Sequence, residues 1–481
     1  MKKAIITTAL VLVLVLVAPL TLVITGFATQ PRFDETYYGE LSRMYRRLKD
    51  TEGKKIVLVG NSAVAFGVRS DLLENEFPGY SVVNFGLYAA LGTKLMLDLS
   101  RPYISEGDIV VVMPEPIEQS MSLYFSAEDA WRAMDGDFSM LSDIASENAA
   151  EMTGNFVGYV GEKFGYIRSG EKAPAVGAYS SAAFEDESGA DVGYMTYDRP
   201  YNVMTGGYDP TMTSDLSTSV IGDGFIDYVN DYAAELKERG AEVYFGFVPM
   251  NELMFGEGAE AAASEYYSYL RGALDFDVIG HPTKSMLDCR WFYDNNVHMN
   301  SAGMYVFTDL LAEDLKLQLG ITTPNSIEIP EMPELPVEDV SSGSNEDADK
   351  FTYEVLTDGT GRKYVRLTSL TEEGKTMTEI TVPSSYDGVP VREFAPEVFA
   401  GNTTVSRITL PESIKNIYDR SFDGAVRLTA LVFEHDDILG ISAGEDFLEG
   451  ADGCYIYLKE GTSVAGCAGG WEKYQSRVRY Y

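Results

Sequence analysis

Ser62, His298 and Asp294 are the residues of this chain whose types and settings fit nucleophilic chemistry. Ser62 ends the stretch Lys55-Ile-Val-Leu-Val-Gly60-Asn61-Ser62, whose apolar, β-branched run Ile56 to Val59 reads as a buried strand of a parallel sheet. Open α/β sheets bind ligands just beyond the carboxyl ends of their strands. A serine there, at the amino end of a following short helix, has an exposed hydroxyl and unpaired backbone N–H groups beside it. Gly-x-Ser is also an ordinary strand-to-helix turn, so Ser62 gains meaning only from partners. His298 lies in the polar segment Trp291 to Gly303, which opens a patterned helix over about 301–319 with Ser301 or Asn300 as its cap. Asp294, four residues ahead, is the only acid between 289 and 308. Neutral imidazole takes a serine proton, and a carboxylate fixes its tautomer and stabilises the imidazolium. Gly86 ends a second strand pattern, Val82-Val83-Asn84-Phe85-Gly86. Its N–H and that of Ser62 are candidate oxyanion donors, and a glycine admits close approach of the carbonyl.

These residues need a sheet to hold them. Buried-strand patterns recur at Tyr80 to Asn84, Asp108 to Met113 and Ala241 to Val248, with helical patterns at about 33–50, 91–104, 225–239 and 258–271. Strands alternating with helices predict a parallel sheet covered by helices. The stretch from about 120 to 220, rich in Tyr, Gly, Ser and acids, breaks the rhythm and reads as an insertion, either a lid or groove over the site or a structural elaboration.

The chain has 481 residues, enough for two or three domains, and a hydrophobic content of 45% that argues for packed structure. With 37 basic and 74 acidic side chains its net charge is −37, which repels phosphate backbones and argues against a nucleic-acid partner. Cysteines at 289, 454 and 467 have no zinc-like spacing, and only three histidines exist (281, 298, 435), so neither a metal site nor an organic cofactor is expected. A 454–467 disulfide is open in an oxidising compartment; isolated core residues are the plainer reading.

Met1-Lys2-Lys3 precedes an uncharged, mostly apolar run from Ala4 to Ile24, 21 residues, about the length that spans a bilayer. Residues 1–28 are therefore expected to form an N-terminal transmembrane signal anchor, with the lysines cytoplasmic and the rest outside. Gly26-Phe27-Ala28 resembles a small-x-small cleavage site, so secretion after cleavage is the alternative. From 321 to 350 the chain reads as an acidic, Pro-rich, solvated linker, carrying Pro324, Pro330, Pro333 and Pro336.

Residues 351–481 carry an internal repeat. Ile380-Thr-Val-Pro383, Ile408-Thr-Leu-Pro411, Leu431-Val-Phe433 and Ile456-Tyr-Leu458 are spaced by 28, 23 and 25 residues, with Phe399, Phe422 and Phe447 in phase at 23 and 25. Two ladders at one period predict a solenoid. The phrasing resembles the BspA-type leucine-rich repeats of bacterial surface proteins, which implies a binding module for a protein partner.

Within an expected domain over 29–320, residues from about 50 to 320 resemble the SGNH (GDSL-like) hydrolases: Gly60-Asn61-Ser62 matches the first motif block, Gly86 the second, and the Asp–His segment before the last helix the fifth. The resemblance implies a flavodoxin-like doubly wound parallel sheet, with Ser62 as nucleophile, His298 as general base and Asp294 as its orienter. Two departures stand out. The usual Asp-x-x-His puts the acid at 295, here Asn295, and Met113-Pro114-Glu115-Pro116 replaces the Gly-x-Asn-Asp block. Asn251 and Asn202 are the candidates for the third oxyanion donor beside Ser62 and Gly86. The Asn84-Phe-Gly-Leu and His-x-Asn-x-x-Gly phrasing looks like the branch that acylates or deacylates cell-surface polysaccharides. The expected function is thus a membrane-anchored extracytoplasmic esterase or O-acyltransferase acting on an acylated carbohydrate or cell-wall glycan. The alternative is a non-catalytic surface adhesion or scaffold protein that binds through its repeats.

Overall fold

The computed structural model describes residue 17 and residues 19–481, apart from 211, 337–342, 437, 439–440, 463 and 465–469. Ser62 is carried by five parallel strands: β1 Lys54–Gly60, β2 Tyr80–Gly86, β3 Ile109–Met113, β4 Glu242–Phe245 and β5 Asp277–Val278. Their spatial order is β2-β1-β3-β4-β5. That order, 2-1-3-4-5, is the flavodoxin-like doubly wound one, with its switch point between β1 and β3. Ile56 to Val59 and Ile109 to Met113 are fully buried, as continuous apolar runs in a sheet covered on both faces must be. Gly60 pairs with Gly86 on one side and Met113 on the other, so three strand ends finish level around Ser62.

The helices Thr93–Ser100, Phe225–Glu238, Ala259–Ala273 and Gly303–Gln318 fall where the sequence patterns predict, within a few residues; Glu40–Asp50 covers the second half of the pattern over 33–50. The strand expected over 241–248 stops at Phe245, just before Gly246 and near Pro249, which has no N–H to donate to a ladder. The insertion contains a 21-residue helix, Ala149–Ser169, which the sequence reading does not predict. Its four interior glycines at 154, 158, 161 and 165 each cost about 1 kcal/mol of helix propensity. They also blur its apolar periodicity.

The transmembrane anchor expected over 1–28 lies largely outside the described residues; among those described, no helix is long and apolar enough to cross a membrane. Within it, Phe27 packs on Phe156, ring centroids 5.3 Å apart. Residues 321–336 form neither helix nor strand and are mostly exposed, but the stretch is tied down at both ends. Ser326 donates from its backbone N and Oγ to Glu76 (2.7 and 2.5 Å), and Arg362 donates to the carbonyls of Leu335 and Pro336 (2.9 and 2.7 Å).

A second hydrophobic core begins at Phe351. Its strands Glu379–Thr381, Arg407–Leu410, Ala430–Phe433, Tyr455–Leu458 and Val478–Tyr480 form one parallel sheet. Ile380 pairs with Ile408, Ile408 with Leu431 and Leu431 with Ile456, the same residues that recur in the sequence. Phe399, Phe422 and Phe447 are fully buried in a column, with centroid separations of 5.3 and 6.5 Å. The repeat is therefore a solenoid. Trp471 packs on Phe433 and Phe447 near its C-terminal end. Cys454 is buried and unpaired among the described residues; Cys467 lies outside them.

Candidate active site

Ser62 opens the helix Ser62–Gly67 at the end of β1 and is buried, not exposed as the sequence suggests, because β2, β3 and the turn close around it. The turn before it is tight. A Cβ at Gly60 would stand 2.4 Å from the Met113 carbonyl oxygen, and one at Gly86 only 2.5 Å from the Val64 Cβ. Both glycines therefore serve the close approach of β1, β2 and the serine turn. Asn61 Nδ2 donates to Ser120 Oγ (2.8 Å), which fixes the turn from the β3 side.

His298 reaches the serine helix through Phe66. Their rings stack at 3.8 Å with 9° between planes. Asp294 Oδ1 lies 2.8 Å from His298 Nδ1, and both side chains are almost wholly buried. A carboxylate only accepts, so this contact puts the imidazole proton on Nδ1 and leaves Nε2 as the basic nitrogen. Nε2 is buried with no hydrogen-bond partner among the described residues. The spacing of four residues between acid and histidine is thus sufficient. Asn295, where the resemblance expects the acid, also touches the ring: its Nδ2 lies 2.9 Å from His298 Nδ1, while its Oδ1 accepts from the Val297 and His298 backbone N–H groups (2.9 and 2.8 Å) and shapes the turn.

The insertion contributes residues that the sequence reading misses. Tyr179 donates its hydroxyl to Asp294 Oδ2 (2.6 Å). Burial, reinforced by the Asp294 charge, pushes its phenol well above the usual range, so it stays a donor. Arg199 is fully buried, lies 5.2 Å from the Phe66 ring centroid, and donates to the Met299 and Tyr197 carbonyls (3.1 and 3.0 Å). Burial lowers its guanidinium to about 10, with Asp294 acting in the opposite direction. Neither residue sits in a periodic pattern, so no sequence signal marks them.

Glu115 is the other unassigned group. It follows β3 between Pro114 and Pro116, in place of the expected Asn-containing block, and is 3% exposed. Its Oε1 lies 3.4 Å from Ser62 Oγ and 3.3 Å from the Ala63 backbone N. Burial raises its carboxyl above the usual range, while His298, the Ala63 N–H and Ser62 pull it back.

Ser62 Oγ thus bonds to Glu115 and not to His298, although both groups adjoin Phe66's helix. The predicted oxyanion donors are placed unevenly. Gly86 is beside Ser62, but its N–H donates to Asn84 Oδ1 (3.2 Å). Asn251 is not brought to the serine: its amide donates to the Gly207 carbonyl (2.8 Å) and to Asn296 (3.4 Å), and its Oδ1 accepts from Leu253. Asn202 is likewise used up on the Gly207 and Cys289 carbonyls (2.9 and 2.6 Å). Both asparagines tie the loops together from fully buried positions, where an unmet amide is costly. Among the described residues no group of three or more His, Cys, Asp or Glu side chains is arranged to hold a metal ion.

No family model and no curated protein matches the chain. Among solved structures it is similar to a leucine-rich cell surface protein of Faecalibacterium prausnitzii A2-165, at 13% identity and a TM-score of 0.19, over 26% of this chain and 30% of that one. It is similar to protein YxiM of Bacillus subtilis at 12% identity and a TM-score of 0.27, over 56% and 58%. A leucine-rich repeat protein of T. pallidum matches at 18% identity and a TM-score of 0.17, over 23% and 70%. The chain spans less than two thirds of the length of the first two.

Proposed function

We propose that this protein is a serine acyl-transfer enzyme of the SGNH type, acting on an O-acyl ester of a cell-surface glycan. Its repeat solenoid serves as a binding module, and the protein is held at the membrane by its N-terminal apolar run. The observation that carries the reading is the buried Asp294–His298 hydrogen bond, which leaves Nε2 basic on a ring stacked against the Ser62 helix. In this reaction Nε2 takes the Ser62 proton as Oγ bonds to the acyl carbon. The tetrahedral intermediate then collapses, and the departing sugar oxygen receives that proton from the imidazolium. Water, or a second sugar hydroxyl, attacks the acyl-enzyme by the same steps in reverse and frees Ser62. The glycan comes from the sequence resemblance.

The test is hydrolysis of a small aryl acetate by the purified protein, compared with Ser62→Ala and His298→Ala. Turnover that both substitutions abolish supports the reading.

A second reading, a non-catalytic surface scaffold, draws on two observations: Ser62 is hydrogen-bonded to Glu115 rather than to His298, and the Gly86 N–H is engaged by Asn84. It predicts no turnover above that of Ser62→Ala in a folded sample.

A further inference from the structure

We propose that Glu115, in its neutral acid form, is a catalytic residue of this site: beside the Ser62 N–H, it donates a hydrogen bond to the oxyanion formed when Ser62 attacks an acyl carbonyl. The inference rests on the serine acyl-transfer reading above and supplies the group that reading lacks.

Three observations carry it. The amides of Asn251 and Asn202 are spent on backbone carbonyls away from Ser62, so neither asparagine is available. Glu115 stands at the end of β3, the strand next to that of Ser62, and its carboxyl reaches both Ser62 Oγ and the Ala63 N–H. Among the described residues no Lys, Arg or His forms an ion pair with it, His298 acting on it only through space, and the two hydrogen bonds it accepts both fall on Oε1. An unpaired carboxylate in a buried site is strongly disfavoured, and the usual outcome is a retained proton. The raised carboxyl noted above agrees with this. A carboxylic acid kept neutral by an apolar site can act as an oxyanion donor. As an anion, Glu115 would instead repel the developing negative charge beside it. The proton stays on Glu115 throughout: it is shared with the oxyanion and returns as the carbonyl reforms, so no further acid or base is consumed.

The titratable groups facing Glu115 are His298, from the loop before the helix Gly303–Gln318, and Tyr37, which precedes the helix Glu40–Asp50. Burial first, then neighbouring Tyr88, Glu115 and Glu40, raises the Tyr37 phenol well above the usual range, with Arg199 opposing them. Activity should therefore fall on the alkaline side as Glu115 loses its proton.

The experiment measures acylation of Ser62 by an aryl acetate in the full-length protein, in detergent, across pH. Glu115→Gln keeps the shape and a donor but cannot ionise; Glu115→Met keeps the approximate volume without a donor. The expected result is that Glu115→Gln stays within about tenfold of wild type and lacks its alkaline decline. Glu115→Met should lose about 10²–10³-fold, the usual effect of removing one oxyanion donor. A loss in Glu115→Gln as large as in Glu115→Met means the carboxylate acts as a base and overturns the proposal, as does a wild-type rate in Glu115→Met. If Glu115→Met does not fold, the pH profiles decide, because an alkaline decline shared by wild type and Glu115→Gln overturns it equally. No acylation of wild-type Ser62 at any pH overturns the parent reading and this one together; acylation insensitive to Glu115 overturns this one alone.

Discussion

Replacing Asp294 by Asn perturbs the site at the point where this chain departs from the expected spacing. In the native arrangement Oδ1 accepts from His298 Nδ1–H at 2.8 Å and Oδ2 accepts from the Tyr179 hydroxyl at 2.6 Å. An asparagine must turn its NH₂ toward one of them. Facing Nδ1, it forces that nitrogen to accept, moves the imidazole proton to Nε2 and removes the base. Facing Tyr179, it opposes a hydroxyl that then loses its acceptor. The Asp294 side chain is only 2% exposed, so solvent does not soften either conflict. In serine proteases the same change lowers turnover about 10⁴-fold, or about 5.4 kcal/mol of barrier. Asp294→Asn should therefore approach the rate of His298→Ala, with the fold retained, in initial-rate assays on an aryl acetate. Asn295→Asp provides the contrast. Its Oδ1 keeps the two backbone N–H bonds of the turn, but the Nδ2 that lies 2.9 Å from His298 Nδ1 becomes a second carboxylate oxygen beside Asp294, which already accepts from that nitrogen. It should leave the rate unchanged or lower it. Wild-type turnover in Asp294→Asn, with a gain in Asn295→Asp, would refute the assignment of Asp294 as orienter.

Three further outcomes are expected. Phe422→Ala should destabilise the solenoid by about 3–5 kcal/mol, since a fully buried Phe leaves a cavity between Phe399 and Phe447; a loss below about 1 kcal/mol by denaturant titration would mean the column is not core. Gly86→Ala should lower both stability and acylation rate, because its methyl meets Val64 Cβ at 2.5 Å and the Asn61 carbonyl at 2.7 Å in the serine turn; an unchanged rate would show that the turn can relax. Glu115→Gln should raise the thermal midpoint at neutral pH and not in acid. The Glu115 carboxyl is raised in the fold, so between its unfolded and folded pKa the native state holds the extra proton and stability falls as pH rises. An equal shift at both pH values would contradict a buried, neutral acid.

The legible parts of this fold were those with a period. Ile56 to Val59 and Asp108 to Met113 announced themselves as uninterrupted β-branched runs; the Ile ladder of the solenoid matched the observed register pair for pair, and the Phe ladder its ring column. β5, two residues long, had no run to detect, and the glycine-interrupted helix Ala149–Ser169 had a blurred one. In the site, Ser62, Asp294 and His298 were legible because each adjoined a recognisable element. Tyr179 and Arg199 were not, since they arrive from an irregular insertion more than a hundred residues from the groups they serve in the case of Tyr179, and by a buried stack on Phe66 in the case of Arg199. Glu115 was visible only as a departure, a proline-flanked acid where an asparagine was expected. The structure gives that departure a location, against Ser62 itself.

The most direct test of serine acyl transfer is the covalent intermediate. Wild-type protein mixed with an aryl acetate, quenched in acid and digested should yield the Ser62 peptide carrying one acetyl group, and His298→Ala should yield far less of it under the same conditions. An unmodified Ser62 peptide from folded wild-type protein, or an acetyl group found at the same level in His298→Ala, would contradict the account.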